Sequence, residues 1–264
     1  MNSVLLKKRI NGTDVPSDQV FVIYGAPGSG KTTLASTFPK TKEAPMLYID
    51  ILEGGSKVIS KADLDMIDQI SINTYAELEE ILQDVYNGYA TDDDGNKIPI
   101  KYSSIVIDTL TNLEYIMKDQ LKKDSNRNDM TLQLWGKAKD SSEYIYNLLK
   151  RLHQKTGAVI IGIAHEKKIE DEENPSFNKV IPSLMNSASI ALCAKASYVW
   201  YTKVELVHTS KDDGTVDTSV VFNTYIDAYP YLVTKCRKPK TFTIVGKVTD
   251  LTYDKFKKNV LDKL

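Results

Sequence analysis

Val20-Phe21-Val22-Ile23-Tyr24-Gly25-Ala26-Pro27-Gly28-Ser29-Gly30-Lys31-Thr32-Thr33 is the stretch on which the reading of this chain turns. Its first five residues form a continuous apolar run of strand length, and Gly25 to Thr32 fits G-x-x-x-x-G-K-[ST]. A strand before that pattern and a helix-compatible segment after it are the context it requires. The glycines let backbone N–H groups turn inward around phosphate oxygens where a helix begins, Lys31 reaches the β and γ phosphates, and the Thr32 hydroxyl offers a ligand to Mg2+. Residues Gly25 to Thr33 are therefore the expected triphosphate cradle. The plain alternative is a Gly-rich turn followed by chance by Lys-Thr.

Outward from this stretch, short apolar runs alternate with helix-period segments, the pattern of an α/β fold with a mostly parallel central sheet flanked by helices. Val20 to Tyr24, Met46 to Ile49, Ile105 to Ile107, Ala158 to Ala164 and Tyr198 to Tyr201 are nearly continuous in apolar residues, as strands covered on both faces must be. Tyr75, Leu78, Ile81, Leu82 and Val85 mark one helix face, and Trp135, Ala138, Ile145, Leu148, Leu149 and Leu152 a longer one. Thr111 and Glu114 have capping-box spacing and predict the start of a third helix carrying Leu113, Ile116 and Met117. Val204 to Thr209, Lys211 to Gly214 and Val216 to Tyr225 predict a β-hairpin, so antiparallel C-terminal strands extend the sheet. Residues 91–97, 122–130 and 166–190 are polar and are expected as loops. One domain spans 1–264, with a core over about 18–202 and a C-terminal β extension and helix over about 203–264.

Lys plus Arg (34) nearly balances Asp plus Glu (35), which excludes a global basic field drawing the chain to nucleic acid or membrane; any polyanion site must be local. Cys193 and Cys236 have no metal-ligand spacing and suit a reducing cytosol. No apolar run approaches membrane thickness, so a cytoplasmic protein is expected. Thr91 to Asn96 has the acids of a calcium loop, but Lys97 stands where glycine is required, and a turn is expected instead.

A triphosphate site needs a second magnesium anchor, and Asp108 fits: it ends the apolar run Ser104 to Ile107, where a metal-facing strand end explains an otherwise costly buried carboxylate. Hydrolysis also needs a base or water-positioning group. Asp50 and Glu53 both follow the strand Met46 to Ile49; Gly54 and Gly55 permit a turn that aims Glu53 inward, and Asp50 is the alternative. His165 ends the strand Ala158 to Ala164, where it either senses the γ-phosphate or is a structural histidine. Trp135 and Tyr144 are expected to pack a helix rather than to stack bases.

These pieces resemble the RecA-like phage ATPases, among them single-strand annealing proteins. The matching segments are Tyr24 to Ala35, Ile49-Asp50 through Gly55, Ile105 to Thr109 and Val159 to Lys167. The resemblance implies a RecA-like fold that binds and hydrolyses ATP with Mg2+. Lys31 and Thr32 would bind triphosphate and metal, Asp108 would be the Walker B acid, Glu53 would activate water, and His165 would stand where this group carries a γ-phosphate sensor. One residue usually separates the Asp and Glu of the second strand, whereas Ile51 and Leu52 intervene here, so Asp50 and Glu53 both stay open.

The resemblance also implies single-stranded DNA as a partner, held by loops after the third and fourth core strands. Those loops offer Lys122, Lys123 and Arg127, and Lys167, Lys168, Phe177 and Lys179; a solvated surface is the alternative. Self-assembly into a homo-oligomer follows, with Arg237 a candidate cation acting in trans, or else solubilising a β edge. The implied setting is recombination or annealing in the cytoplasm of a phage-infected bacterium, with a single-strand DNA-binding protein as a further partner and no membrane. A nucleotide-dependent switch acting on a protein partner is the competing reading, and a small-molecule kinase ranks last for want of an arginine-rich lid.

Overall fold

The computed structural model describes residues 18–54, 61–170, 178–210 and 216–263. β1 (Val20–Gly25) is buried along its whole length, and the glycine loop leads from it into α1 (Lys31–Ser36). β2 (Met46–Asp50) is buried throughout as well. A 3-10 turn at Lys61–Met66 then leads into β3 (Ile67–Ser71), buried fully only at Ile67. α2 (Tyr75–Asn87) opens with a capping box in which Thr74 Oγ1 accepts from the Glu77 amide and the Glu77 carboxylate accepts from the Thr74 amide. β4 (Tyr89–Thr91) and β5 (Lys97–Pro99) form a small hairpin whose turn is closed by the Asp92 carboxylate.

β6 (Ser104–Asp108) is buried throughout and is followed by α3 (Leu110–Asp124) and the long α4 (Leu132–Thr156). The N-cap of α3 is Thr109, whose hydroxyl accepts from the Asn112 amide at 3.1 Å, not Thr111 as its spacing to Glu114 predicts. Thr111 and Glu114 serve tertiary contacts instead. α3 also continues to Asp124, through the first part of the loop expected at 122–130. β7 (Val159–Ala164), β8 (Glu166–Ile169), β9 (Lys179–Pro182) and α5 (Asn186–Lys195) follow, so the expected 166–190 loop is largely a hairpin and the start of a helix. β10 (Tyr198–Ser210) and β11 (Val216–Tyr225) make the long C-terminal hairpin. β12 (Lys235–Cys236), β13 (Lys247–Thr249) and α6 (Tyr253–Asn259) complete the described chain.

The main sheet runs β13-β11-β10-β1-β7-β6-β2-β3, with β12 also paired to β10. The six strands from β10 to β3 are mutually parallel, while β11, β12 and β13 are antiparallel additions. The α/β class, the mostly parallel sheet and the antiparallel C-terminal strands are thus as the sequence predicts. One face is covered by α2 to α5 through Leu78, Leu82, Ile145, Leu149 and Leu192. α1 and α6 cover the other. There Phe21 stacks on Tyr198 with ring centroids 4.6 Å apart, and Phe256 meets the Trp200 ring edge-on at 4.7 Å. Burying a ring such as Phe256 contributes about 1.5–3 kcal/mol, which fixes the C-terminal helix against the β1 strand. Among the described residues, no helix is long and apolar enough to cross a membrane.

Candidate functional site

Parallel strands bring their C-terminal ends to one edge of the sheet, the edge at which open α/β folds hold ligands. Gly25 closes β1 with its Cα against β10: a Cβ there would collide with the Thr202 carbonyl oxygen, so only glycine fits. Gly28 and Gly30 have φ of 75° and 85°, the left-handed conformation that turns successive amides to one side. Ser29 Oγ bonds Thr202 Oγ1 at 2.8 Å and ties the loop to β10. Lys31 is buried and donates to the carbonyls of Gly25 (3.0 Å) and Ala26 (2.8 Å). Burial pulls its pKa down, against the opposing pull of Asp108, Glu53 and Glu166. A buried cation held only by carbonyls is matched to an anionic ligand.

β7 lies between β1 and β6, yet Thr32 Oγ1 donates to Asp108 Oδ2 at 2.9 Å across it. Tyr48 of β2 donates to the same carboxylate oxygen. Burial pushes the Asp108 carboxyl up, and the bonds from Tyr48 and Thr32 only partly offset this. Among the described residues no three of His, Cys, Asp and Glu gather as a metal site. One carboxylate and one hydroxyl beside a phosphate cradle fit magnesium, which binds through one or two protein oxygens and takes the rest from phosphates and water.

After β2 the chain turns sharply. Asp50 accepts from the amides of Glu53 and Gly54, so its carboxylate is committed to closing the turn. Leu52, one of the two residues inserted between Asp50 and Glu53, takes a left-handed φ of 62°. With that twist the Glu53 carboxylate meets two donors: Asn112 Nδ2 lies 2.9 Å from Oε1 and His165 Nε2 2.7 Å from it. His165 is held by its own amide on Thr111 Oγ1 at 3.0 Å. Its Nδ1 is buried without a hydrogen-bond partner among the described residues. Lys31, Thr32, Asp108, Glu53 and His165 therefore come together.

The other sequence candidates lie elsewhere. Arg237 bonds Ser197 through its backbone and faces Asp18 at 3.5 Å, at the N-terminal ends of β1 and β10, the opposite edge from Lys31. Lys122 and Lys123 pair with Asp119 in the last turn of α3, and Arg127 follows them, remote from the hairpin lysines. Lys167 is not a free surface cation: its ammonium is held by the Leu184 carbonyl and by Asn186 Oδ1. Lys168 and Lys179 are exposed on β8 and β9. Phe177 lies outside the described residues. Trp135, expected on the packed face of its helix, is 41% exposed, and Tyr144 46%.

Sequence reading passed over Tyr48 and Asn112. Tyr48 shares a sheet face with Asp50, whose register partner is Asp108, but that adjacency exists only once β2 pairs with β6. Asn112 carries no motif, and only the tertiary meeting of the two turns gives it a role.

A glycine loop after the first strand and an acid ending a nearby parallel strand define the class: this is a P-loop nucleoside triphosphatase. The chain belongs to the AAA domain family, whose model matches residues 17–225. No curated protein matches it. Among solved structures it is similar to the ATPase domain of a helicase, with 13% identity and a TM-score of 0.45 over 88% of this chain and 81% of that one.

Proposed function

We propose that the chain binds ATP with magnesium, hydrolyses it at the C-terminal edge of the sheet, and couples that cycle to single-stranded DNA. The observation that carries the reading is the convergence of Lys31, Thr32, Asp108, Glu53 and His165 from the ends of four strands. Lys31 exchanges its carbonyl partners for phosphate oxygens, which compensate its buried charge better. Thr32 and Asp108 hold the metal, which when bound neutralises charge on the phosphates. Glu53, aimed by Asn112, takes a proton from the attacking water as oxygen bonds to the γ-phosphorus and the bridging oxygen departs. His165, beside Glu53, registers whether a γ-phosphate is present.

The DNA half rests on a groove of about 840 Å³ between α3, α4 and residues 183–187. Tyr115 and Trp135 line it, 63% and 41% exposed, together with Lys118, Lys139 and Lys167. Exposed rings among lysines suit bases stacked beside phosphates. The groove also shares α3 with the nucleotide site: Thr111 holds the His165 amide, and one turn on Glu114 accepts from the Met185 amide at 2.6 Å. Recombination or annealing in phage replication, homo-oligomers, a single-strand DNA-binding protein as partner and the cytoplasm of the infected host are carried into the proposal by the motif resemblance.

Phosphate release measured with no DNA, single strands and duplex tests both halves. Turnover that needs Lys31, is lost in Lys31→Ala and rises with single strands is expected. Turnover in Lys31→Ala equal to wild type would remove the site. Turnover indifferent to DNA, with no DNA bound in any nucleotide state, would leave a nucleotide switch acting on a protein, the reading that the near-neutral charge favours.

A further inference from the structure

Beside the P-loop, on the side away from Asp108, lies a second cavity of about 200 Å³. Ser29, Gly30 and Thr33 form one wall and Phe222 and Thr224 of β11 another, with residues 250–252 closing the end. We propose that this cavity is the nucleobase seat, with the Phe222 ring as the face on which the base stacks. The inference rests on the triphosphate reading above and adds to it the part of the ligand that the P-loop motif does not specify.

Sheet order gives the direction. From β1, the groups that would meet the terminal phosphate lie toward β7, β6 and β2, where His165, Asp108 and Glu53 emerge. A triphosphate with its γ end there points its nucleoside end the other way, toward β10 and β11. Phe222 waits on that side. Its ring covers Gly30 so closely that a Cβ on Gly30 would stand 2.9 Å from Cδ1, so the ring adjoins the cradle itself. Yet Phe222 is 41% exposed, leaving part of an aromatic side chain open beside a polar anion site. At about 200 Å³ the cavity is below the roughly 300–1,000 Å³ of pockets for whole drug-sized ligands and suits a single ring system. Stacking favours the larger π surface, so a purine is the better occupant. The Asp250 amide donates to the Phe222 carbonyl at 2.8 Å and the Tyr253 amide to Thr37 Oγ1 at 2.9 Å, which fixes the C-terminal segment as the far wall.

Comparing two ligands isolates the seat from the cradle. Calorimetric titration of wild type, Phe222→Ala and Phe222→Tyr with MgATP and with magnesium tripolyphosphate reads base and phosphate contributions separately. Phe222→Ala should weaken ATP by about 5- to 150-fold, the equivalent of one lost base–aromatic stack, and leave tripolyphosphate unchanged, with Phe222→Tyr close to wild type. CTP should bind wild type more weakly than ATP. Unchanged ATP affinity in Phe222→Ala, or an equal loss for both ligands, overturns the seat while the cradle stands. Wild type that binds neither ligand overturns the seat and the triphosphate reading together.

Discussion

His165 Nε2 lies 2.7 Å from Glu53 Oε1, joining the ends of β7 and β2 across the end of β6. Asn112 Nδ2 holds the same oxygen, whereas the carboxylate of Asp50 is spent on the amides of Glu53 and Gly54. The two acids therefore differ in what they can do. Glu53→Gln keeps an oxygen for Asn112 but cannot take a proton, so nucleotide binding should persist while single-turnover hydrolysis slows by about 100-fold or more. Asp50→Asn still offers an oxygen to the turn and should cost much less. If Asp50→Asn is the slower enzyme, the proton goes to Asp50 and the role proposed for Glu53 is wrong.

Asp108 ties function to stability with opposite signs. Burial raises its carboxyl above the ordinary value, so between its unfolded and folded pKa the folded chain holds the extra proton. Stability contributed by this group therefore falls as pH rises through that window and is lowest above it. Asp108→Asn never ionises and can still pair with Tyr48 and Thr32. Without nucleotide or metal it should melt higher than wild type at neutral pH, by about 2–4 °C for each kcal/mol regained, with the gain shrinking in acid. Magnesium-dependent nucleotide binding should meanwhile be lost. A melting temperature lowered equally at pH 4 and pH 8 would show that the carboxylate is not a destabilised charge.

How much of this was legible depended on whether burial or pairing set the pattern. β1, β2, β6 and β7 are covered on both faces, so their apolar runs are unbroken and the acid at the end of β6 stands out. β3 is an edge strand whose Ile67-Asp68-Gln69-Ile70-Ser71 is only partly buried, and β8 reads Glu-Lys-Lys-Ile; neither carries that signal. Helical periodicity put Trp135 with the core residues of α4, but it lies one turn from the helix start, at a groove that nothing in the described chain fills. Thr111 and Glu114 satisfy the local rule for a cap, yet each is bonded to a distant segment, which no local pattern can announce.

Arg237 and Lys31 occupy opposite edges of the sheet, so Arg237 cannot serve the site of its own chain. A head-to-tail contact between copies would bring one edge onto the other, and such heterologous contacts generate rings or filaments. A cation supplied that way neutralises charge spread over the γ-phosphoryl oxygens. Turnover per protomer should then rise with protein concentration. Mixing Arg237→Ala with Lys31→Ala should restore turnover that neither shows alone, because some sites receive an intact P-loop and an intact arginine. Verified mixed assemblies without rescue would reduce Arg237 to its contact with Asp18.

The groove makes the sharpest claim about DNA because it separates two groups of lysines that sequence alone treats as equivalent. Lys118, Lys139 and Lys167 line it, while Lys122 and Lys123 sit at the far end of α3, where both pair with Asp119. At 1.5 Å per residue, the helix carries Lys123 about 18 Å from Thr111. Three phosphate contacts on a single strand predict a slope near 2 in log affinity against log salt, about 0.7 for each. Lys118→Ala/Lys139→Ala should therefore lower that slope by about 1.4, and Lys122→Ala/Lys123→Ala should leave it unchanged. Trp135 has its indole 5.2 Å from the Lys118 ammonium, and replacing it removes a stacking face without opening the core. Trp135→Ala should cost about 1–3 kcal/mol of single-strand affinity with the slope intact, since a ring contributes no counterion release. Fluorescence anisotropy over a salt series, with ATP bound to Glu53→Gln protein so that the nucleotide state holds, measures all three variants. A slope that falls only in Lys122→Ala/Lys123→Ala would move the DNA path to the opposite end of α3, and the groove would then have no claim on it.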